Sequence, residues 1–90
     1  MEGYEWNPAK AAVNLKRHKV DFAYAALSLE DPHALAATDP GAAGEEGFIC
    51  LGADPVGWVL VTVFALAGEN TRIISSRRAS PGERRRYEER

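Results

Sequence analysis

The chain has 90 residues, of which 46% are hydrophobic and 27% charged, and a formal net charge of −2. That length makes one domain, residues 1–90, with a modest core, and the composition is globular rather than disordered. A single cysteine excludes an internal disulfide, and the longest apolar run, Trp58 to Ala67, falls far short of the roughly 20 residues a membrane helix needs.

The charge is unevenly distributed. Residues 1–19 sum to +2 and residues 72–90 to +4, whereas residues 20–71 carry eight acids and no Lys or Arg. A fold that joins the two chain ends would therefore make one basic surface despite the acidic total. The opening Met1-Glu2-Gly3-Tyr4-Glu5 lacks the basic and apolar regions of a signal peptide, so a cytoplasmic protein without a membrane segment is expected.

In chain order, residues 3–6 read as a short strand. Asn7 caps a helix with Pro8 at its first position. Ala11, Ala12 and Leu15 share one face of that helix and should point to the core. Lys10, Asn14, Arg17 and His18 share another, a polar stripe that also fits a plain solvated face. Lys19 follows where a helix would end on a left-handed residue, usually glycine. Asp21 caps a second helix over about residues 22–29, burying Phe22, Ala25, Ala26 and Leu29, and Asp31-Pro32 ends it. Residues 33–37 suit a brief strand, and residues 38–46 read as a loop.

From there the chain is a β-meander: Phe48–Gly52, a turn at Asp54-Pro55-Val56-Gly57, Trp58–Leu66, a turn at 67–70, then Thr71–Ser76. The Trp58–Leu66 strand is apolar on both alternations, so it should be central. Cys50 reads as a small core residue. Arg77 and Arg78 follow the last strand. Ser80, Pro81 and Glu83 then mark a helix start with a capping box, and that helix carries Arg84, Arg85, Arg86, Tyr87 and Arg90.

Arg72-Ile-Ile-Ser-x-Arg-x-Ala-x-x-x-Glu-Arg-x-x-Tyr87 resembles the C-terminal signature of the BrnT family. Glu5-Trp6-Asn7-Pro8-Ala9-Lys10, continued by Asn14 and Arg17-His18, is similar to that family's E-W-(D/N)-x-x-K-x-x-x-N-x-x-K-H opening. Asp31-Pro32 and Glu45-Glu46 fall between them at the family's spacing. The resemblance covers essentially the whole chain. It implies a RelE-like ribonuclease toxin of a type II toxin–antitoxin pair, which inhibits translation and is neutralised by a DNA-binding antitoxin of ribbon-helix-helix type. A dimer or a heterotetramer with the antitoxin would be compatible with it. Two positions depart from the family pattern. Gly47 stands where an arginine usually follows the Glu-Glu pair, and Lys19 stands where glycine is usual.

On the residues' own terms, His18, His33 and Cys50 form no metal-ligand spacing, and no Gly-rich phosphate loop follows a strand. The remaining inventory of arginines, lysine, histidine and tyrosine suits RNA cleavage without metal or cofactor. There the 2′-OH attacks the adjacent phosphate, and arginine's planar fork stabilises the phosphorane. The candidate catalytic residues are Lys10, His18, Arg72 and Arg77, with His18 and Lys10 moving protons. The candidate RNA-binding residues are Asn14, Arg17, Arg78, Arg84 and Tyr87. Tyr87 suits either packing under its helix or stacking on a base, and Glu83 suits a cap better than a general base. The expected fold is α+β. It has a RelE-like antiparallel sheet of about four strands, packed on one side by the N-terminal helices, with the C-terminal helix at its edge. The competing function is an inactive family member that binds RNA or antitoxin. A third reading is a protein-interaction domain that uses the acidic middle as its surface.

Overall fold

A computed structural model describes residues 1–39, 41 and 47–89. Glu45, Glu46, most of the loop read over 38–46, and Arg90 lie outside the described residues. The elements are β1 (Tyr4–Glu5), α1 (Pro8–His18), α2 (Phe22–Ser28), β2 (Leu35–Asp39), β3 (Gly47–Ala53), β4 (Val59–Ala67), β5 (Asn70–Arg78) and α3 (Pro81–Glu88). The class is α+β, with five described strands rather than four, in the order β1-β5-β4-β3-β2. β2 through β5 pair antiparallel, and β1 adds a short parallel pairing with β5.

The helices begin where the capping residues place them. Asn7 accepts from the amides of Ala9 and Lys10, and Asp21 accepts from that of Ala23. Ser80 and Glu83 exchange both bonds of a capping box. These contacts satisfy amides that the first helical turn leaves without partners. α1 ends on Lys19 at φ 61°, a left-handed conformation that is strained for a residue with a Cβ.

One sheet face carries the core. Val20, Phe22, Ala25 and Ala26 from the α1–α2 region pack on Leu60 of β4 and Ile73 of β5. Trp6 meets Phe22 edge-on at 6.0 Å. Gly52 of β3 is required here, since a Cβ at that position would lie 2.3 Å from the Ser28 carbonyl oxygen at the end of α2. α1 departs from the expected apolar face. Ala12 and Leu15 are exposed, Leu15 by 47%, and Asn14 is the buried residue at 5%. The reason is that α1 leans on the outer edge of β5, where polar backbone groups need partners.

The second face follows from the register. Val61 pairs with Arg77 and Leu51, Val63 with Ser75 and Ile49, and Ala65 with Arg72 and Gly47. Directly opposed residues share a face, so these side chains lie on the side away from Leu60 and Ile73. α3 lies over one end of this face and not at the sheet's edge, because Glu83 and Arg86 line a hollow with Leu35, Ile49, Leu51 and Val61.

Candidate nucleic-acid interface

Arg72 and Arg77 stand an odd number of residues apart, so a regular strand would send them to opposite faces. A register shift opposite Val63/Phe64 leaves one extra residue, Ile74, without a partner on β4. Such a bulge reverses the alternation. Arg72 then pairs with Ala65 and Arg77 with Val61, which are four residues apart, and both arginines point to the second face with Ser75 between them.

His18, at the end of α1, reaches the same place. An open hollow of about 310 Å³ is lined by His18, Ile49, Val61, Val63, Ser75, Ser76 and Arg77. A second hollow, sharing His18 and Ser75, continues along Lys10, Arg17, Val13 and Ile74. His18 from the first basic block thus meets Arg77 from the second, with Lys10 and Arg17 in the adjoining hollow. The charge distribution gave that convergence as an expectation, but nothing in the sequence singled out Ser75.

The other candidates lie elsewhere. Arg72 shares the face but is absent from the hollow's lining, and its Nε donates to Glu5 Oε2 at 3.0 Å. Asn14 keeps its place on the stripe, lining the second hollow, but it is buried and its amide is turned to the backbone. Its two amide hydrogens go to the carbonyls of Val20 and Ser76, and its oxygen accepts from the Ser76 amide, so no donor is left for RNA phosphate. Arg78 sits on the opposite face from Arg77, with its guanidinium carbon 3.9 Å from the ring centre of Trp58. Arg84 is exposed on α3. Tyr87 is half-buried, and its hydroxyl donates to Asp31 Oδ2, tying α3 to the α2–β2 connection. Of its two sequence readings, this geometry matches packing.

Arg77 is held in a fork-to-fork pair with Glu83, at 2.8 and 2.9 Å. That pair and the Ser80 amide hold the Glu83 carboxyl down at about 2, so at neutral pH it is an anion committed to Arg77 and the cap, not a proton acceptor. The same pairing pushes the Arg77 guanidinium further up. Arg72 and Asn70 hold the Glu5 carboxyl below its usual range. Burial pushes Asp31 upward, but hydrogen bonds from Tyr87 and from the Ala53 and His33 amides outweigh it and leave the group lowered. Cys50 is buried, and burial raises its thiol. Among the described residues, no group of three or more His, Cys, Asp or Glu is placed to hold a metal ion. No described helix is long and apolar enough to cross a membrane.

Fold and surface together define a small α+β protein with cations from both chain ends gathered beside an open sheet face. The family model described as "Ribonuclease toxin, BrnT, of type II toxin-antitoxin system" matches residues 6–83, and the chain belongs to that family. Its fold is similar to that in the crystal structure of the Brucella abortus ribonuclease toxin, BrnT. That match has a TM-score of 0.61 and 24% identity, covering 83% of this chain and 92% of that one. No curated protein matches the chain.

Proposed function

We propose that this chain, a single toxin domain over residues 1–90, is an endoribonuclease that cuts RNA on the second sheet face by attack of the 2′-OH on its own phosphate. In the cytoplasm such cutting would inhibit translation. The observation that carries this reading is the hollow in which His18 of α1 meets Ser75 and Arg77 of β5, with Lys10 and Arg17 beside it. His18 and Lys10 take and return protons, the first at the 2′-OH and the second at the leaving 5′-oxygen. Arg77 stabilises the phosphorane. Glu83 uses two of its five N–H donors and the Arg78 carbonyl a third, which fixes its plane and leaves two for phosphate oxygens. Ser75 offers a hydroxyl to the same phosphate. Arg17 and Arg84 hold flanking phosphates, and Arg72 marks the far end of the face. The proposed neutralising partner is a ribbon-helix-helix antitoxin that covers this face with acidic or apolar contacts.

The test uses purified protein, a defined RNA, and the same RNA with single 2′-deoxy substitutions. Cleavage should leave a 2′,3′-cyclic phosphate and a 5′-hydroxyl and should stop at the substituted position. It should fall roughly a hundredfold in Arg77→Ala and His18→Ala. Cleavage past a 2′-deoxy position, or unchanged rates in both variants, refutes it.

One observation favours a second reading, an inactive member that binds RNA or antitoxin. Gly47 lies in the sheet row of Ala65 and Arg72 and brings no cation to it. A wild type that binds RNA without cutting, together with a Gly47→Arg variant that cuts, would establish that reading.

A further inference from the structure

We infer that Asn14 is the positioning residue of the site, a side-chain clamp that holds His18 and Lys10 in register with Arg77. The inference rests on the catalytic reading above and adds a residue that touches no substrate.

β1 covers the outer edge of β5 only at Thr71 and Arg72. Further along, the backbone of Ser76 faces outward with both its N–H and its C=O buried, the residue being 1% exposed. Buried groups of this kind need partners, and an adjacent strand would normally supply them. Asn14 supplies them instead. Its carboxamide accepts from Ser76 N at 3.1 Å and donates to Ser76 O at 2.8 Å, as a neighbouring peptide unit would. Its second amide hydrogen goes to Val20 O at 3.1 Å, so the same side chain also fixes the chain leaving α1.

The clamped residue lies between Ser75 and Arg77, which both line the catalytic hollow. On α1, Asn14 lies one turn after Lys10 and one turn before His18, on the same side of the helix. One amide therefore sets where two proton-handling groups stand relative to the phosphate-binding arginine. A separate buried chain of side-chain hydroxyls runs from Ser76 Oγ to Thr62 Oγ1 at 2.8 Å and on to Ser28 Oγ at 3.5 Å, and the Asn14 carboxamide takes no part in it. An apolar residue at 14 would strand both Ser76 groups. Aspartate would keep the acceptor and lose both donors.

The test compares Asn14→Ala and Asn14→Asp with Thr62→Val, which removes a buried hydroxyl of that separate chain but leaves the clamp intact. All are assayed well below their melting temperatures. If Asn14 positions, Asn14→Ala lowers kcat by roughly tenfold or more while KM moves by less than about threefold, because misplacement of this kind acts on the transition state. On a His18→Ala background the same substitution should cost less than it does in the wild type, since the part of its effect that passes through His18 is already gone. Thr62→Val should lose thermal stability with kcat nearly intact. Full multiplication of the Asn14 and His18 effects overturns the inference, and so does an equal loss of kcat in Thr62→Val. If the wild type cuts no RNA, the catalytic reading fails by itself, and the clamp is read from the His18 ring resonances and Ser76 amide exchange. The His18 resonances should change in Asn14→Ala and stay in Thr62→Val, and Ser76 exchange should rise in Asn14→Ala by more than its loss of stability accounts for; no change in Asn14→Ala refutes the clamp.

Discussion

Replacing Arg77 by alanine separates what this side chain does for the fold from what it does for the chemistry. It removes the two hydrogen bonds to Glu83 but leaves the Ser80–Glu83 capping box in place. The partners are 45% and 29% exposed, so the magnitude for a solvent-screened pair applies, raised by the two-point geometry to about 1 kcal/mol. In a domain of this size that lowers the melting temperature by roughly 4–8 °C. The pH dependence has a definite sign. Glu83 titrates at about 2 in the folded chain against 4.5 as its ordinary value, so its pairing stabilises fully above 4.5 and is lost as pH falls toward 2. The gap in stability between wild type and variant should therefore be constant from neutrality to about pH 5 and close below 4.5. Urea melts at several pH values measure it. Cleavage should respond far more, because losing about 3 kcal/mol of phosphorane stabilisation slows the reaction by roughly a hundredfold. Lysine should restore part of that, keeping the charge without the fork. A variant that melts like wild type at pH 7, or a gap that persists at pH 2, refutes the ion-pair account. Wild-type cleavage rates in the alanine variant refute the arginine-centred mechanism.

Lys19→Gly should relieve the left-handed strain at the end of α1 and raise stability by up to about 1 kcal/mol, read as a higher melting temperature. Gly52→Ala should cost about 1–3 kcal/mol or more, since the added methyl meets the Ser28 carbonyl and α2 must move, and a urea melt will show it. Glu83→Gln keeps a capping side chain and loses the charge that competes with phosphate for Arg77. RNA binding should tighten while stability falls by less than about 1 kcal/mol, checked by binding titration and thermal melt.

The sequence by itself determined the punctuation of this fold. Asn7, Asp21 and the Ser80/Glu83 pair mark helix starts because a side-chain oxygen meeting a nearby free amide is a local event, readable over three or four residues. The meander from 47 to 78 was legible for the same reason, since tight turns between apolar runs leave antiparallel pairing as the simple solution. The blocks of charge also announced that the two ends would meet.

Only the tertiary structure decided which side chains face the site. Asn14 looked like one more polar residue on a stripe. What buries it is an unsatisfied strand edge sixty-two residues away, and no helix periodicity carries that information. Arg72 and Arg77 share a face through a bulge at Ile74, where strand alternation alone would separate them, and the bulge brings Ser75 between them. Tyr87 turned toward Asp31 and Arg78 toward Trp58 because the packing of α3 and the β3–β4 turn offered those partners. Capping and turn chemistry depend on neighbours in sequence. Facing and burial depend on register and on edges, which exist only once strands and helices have met.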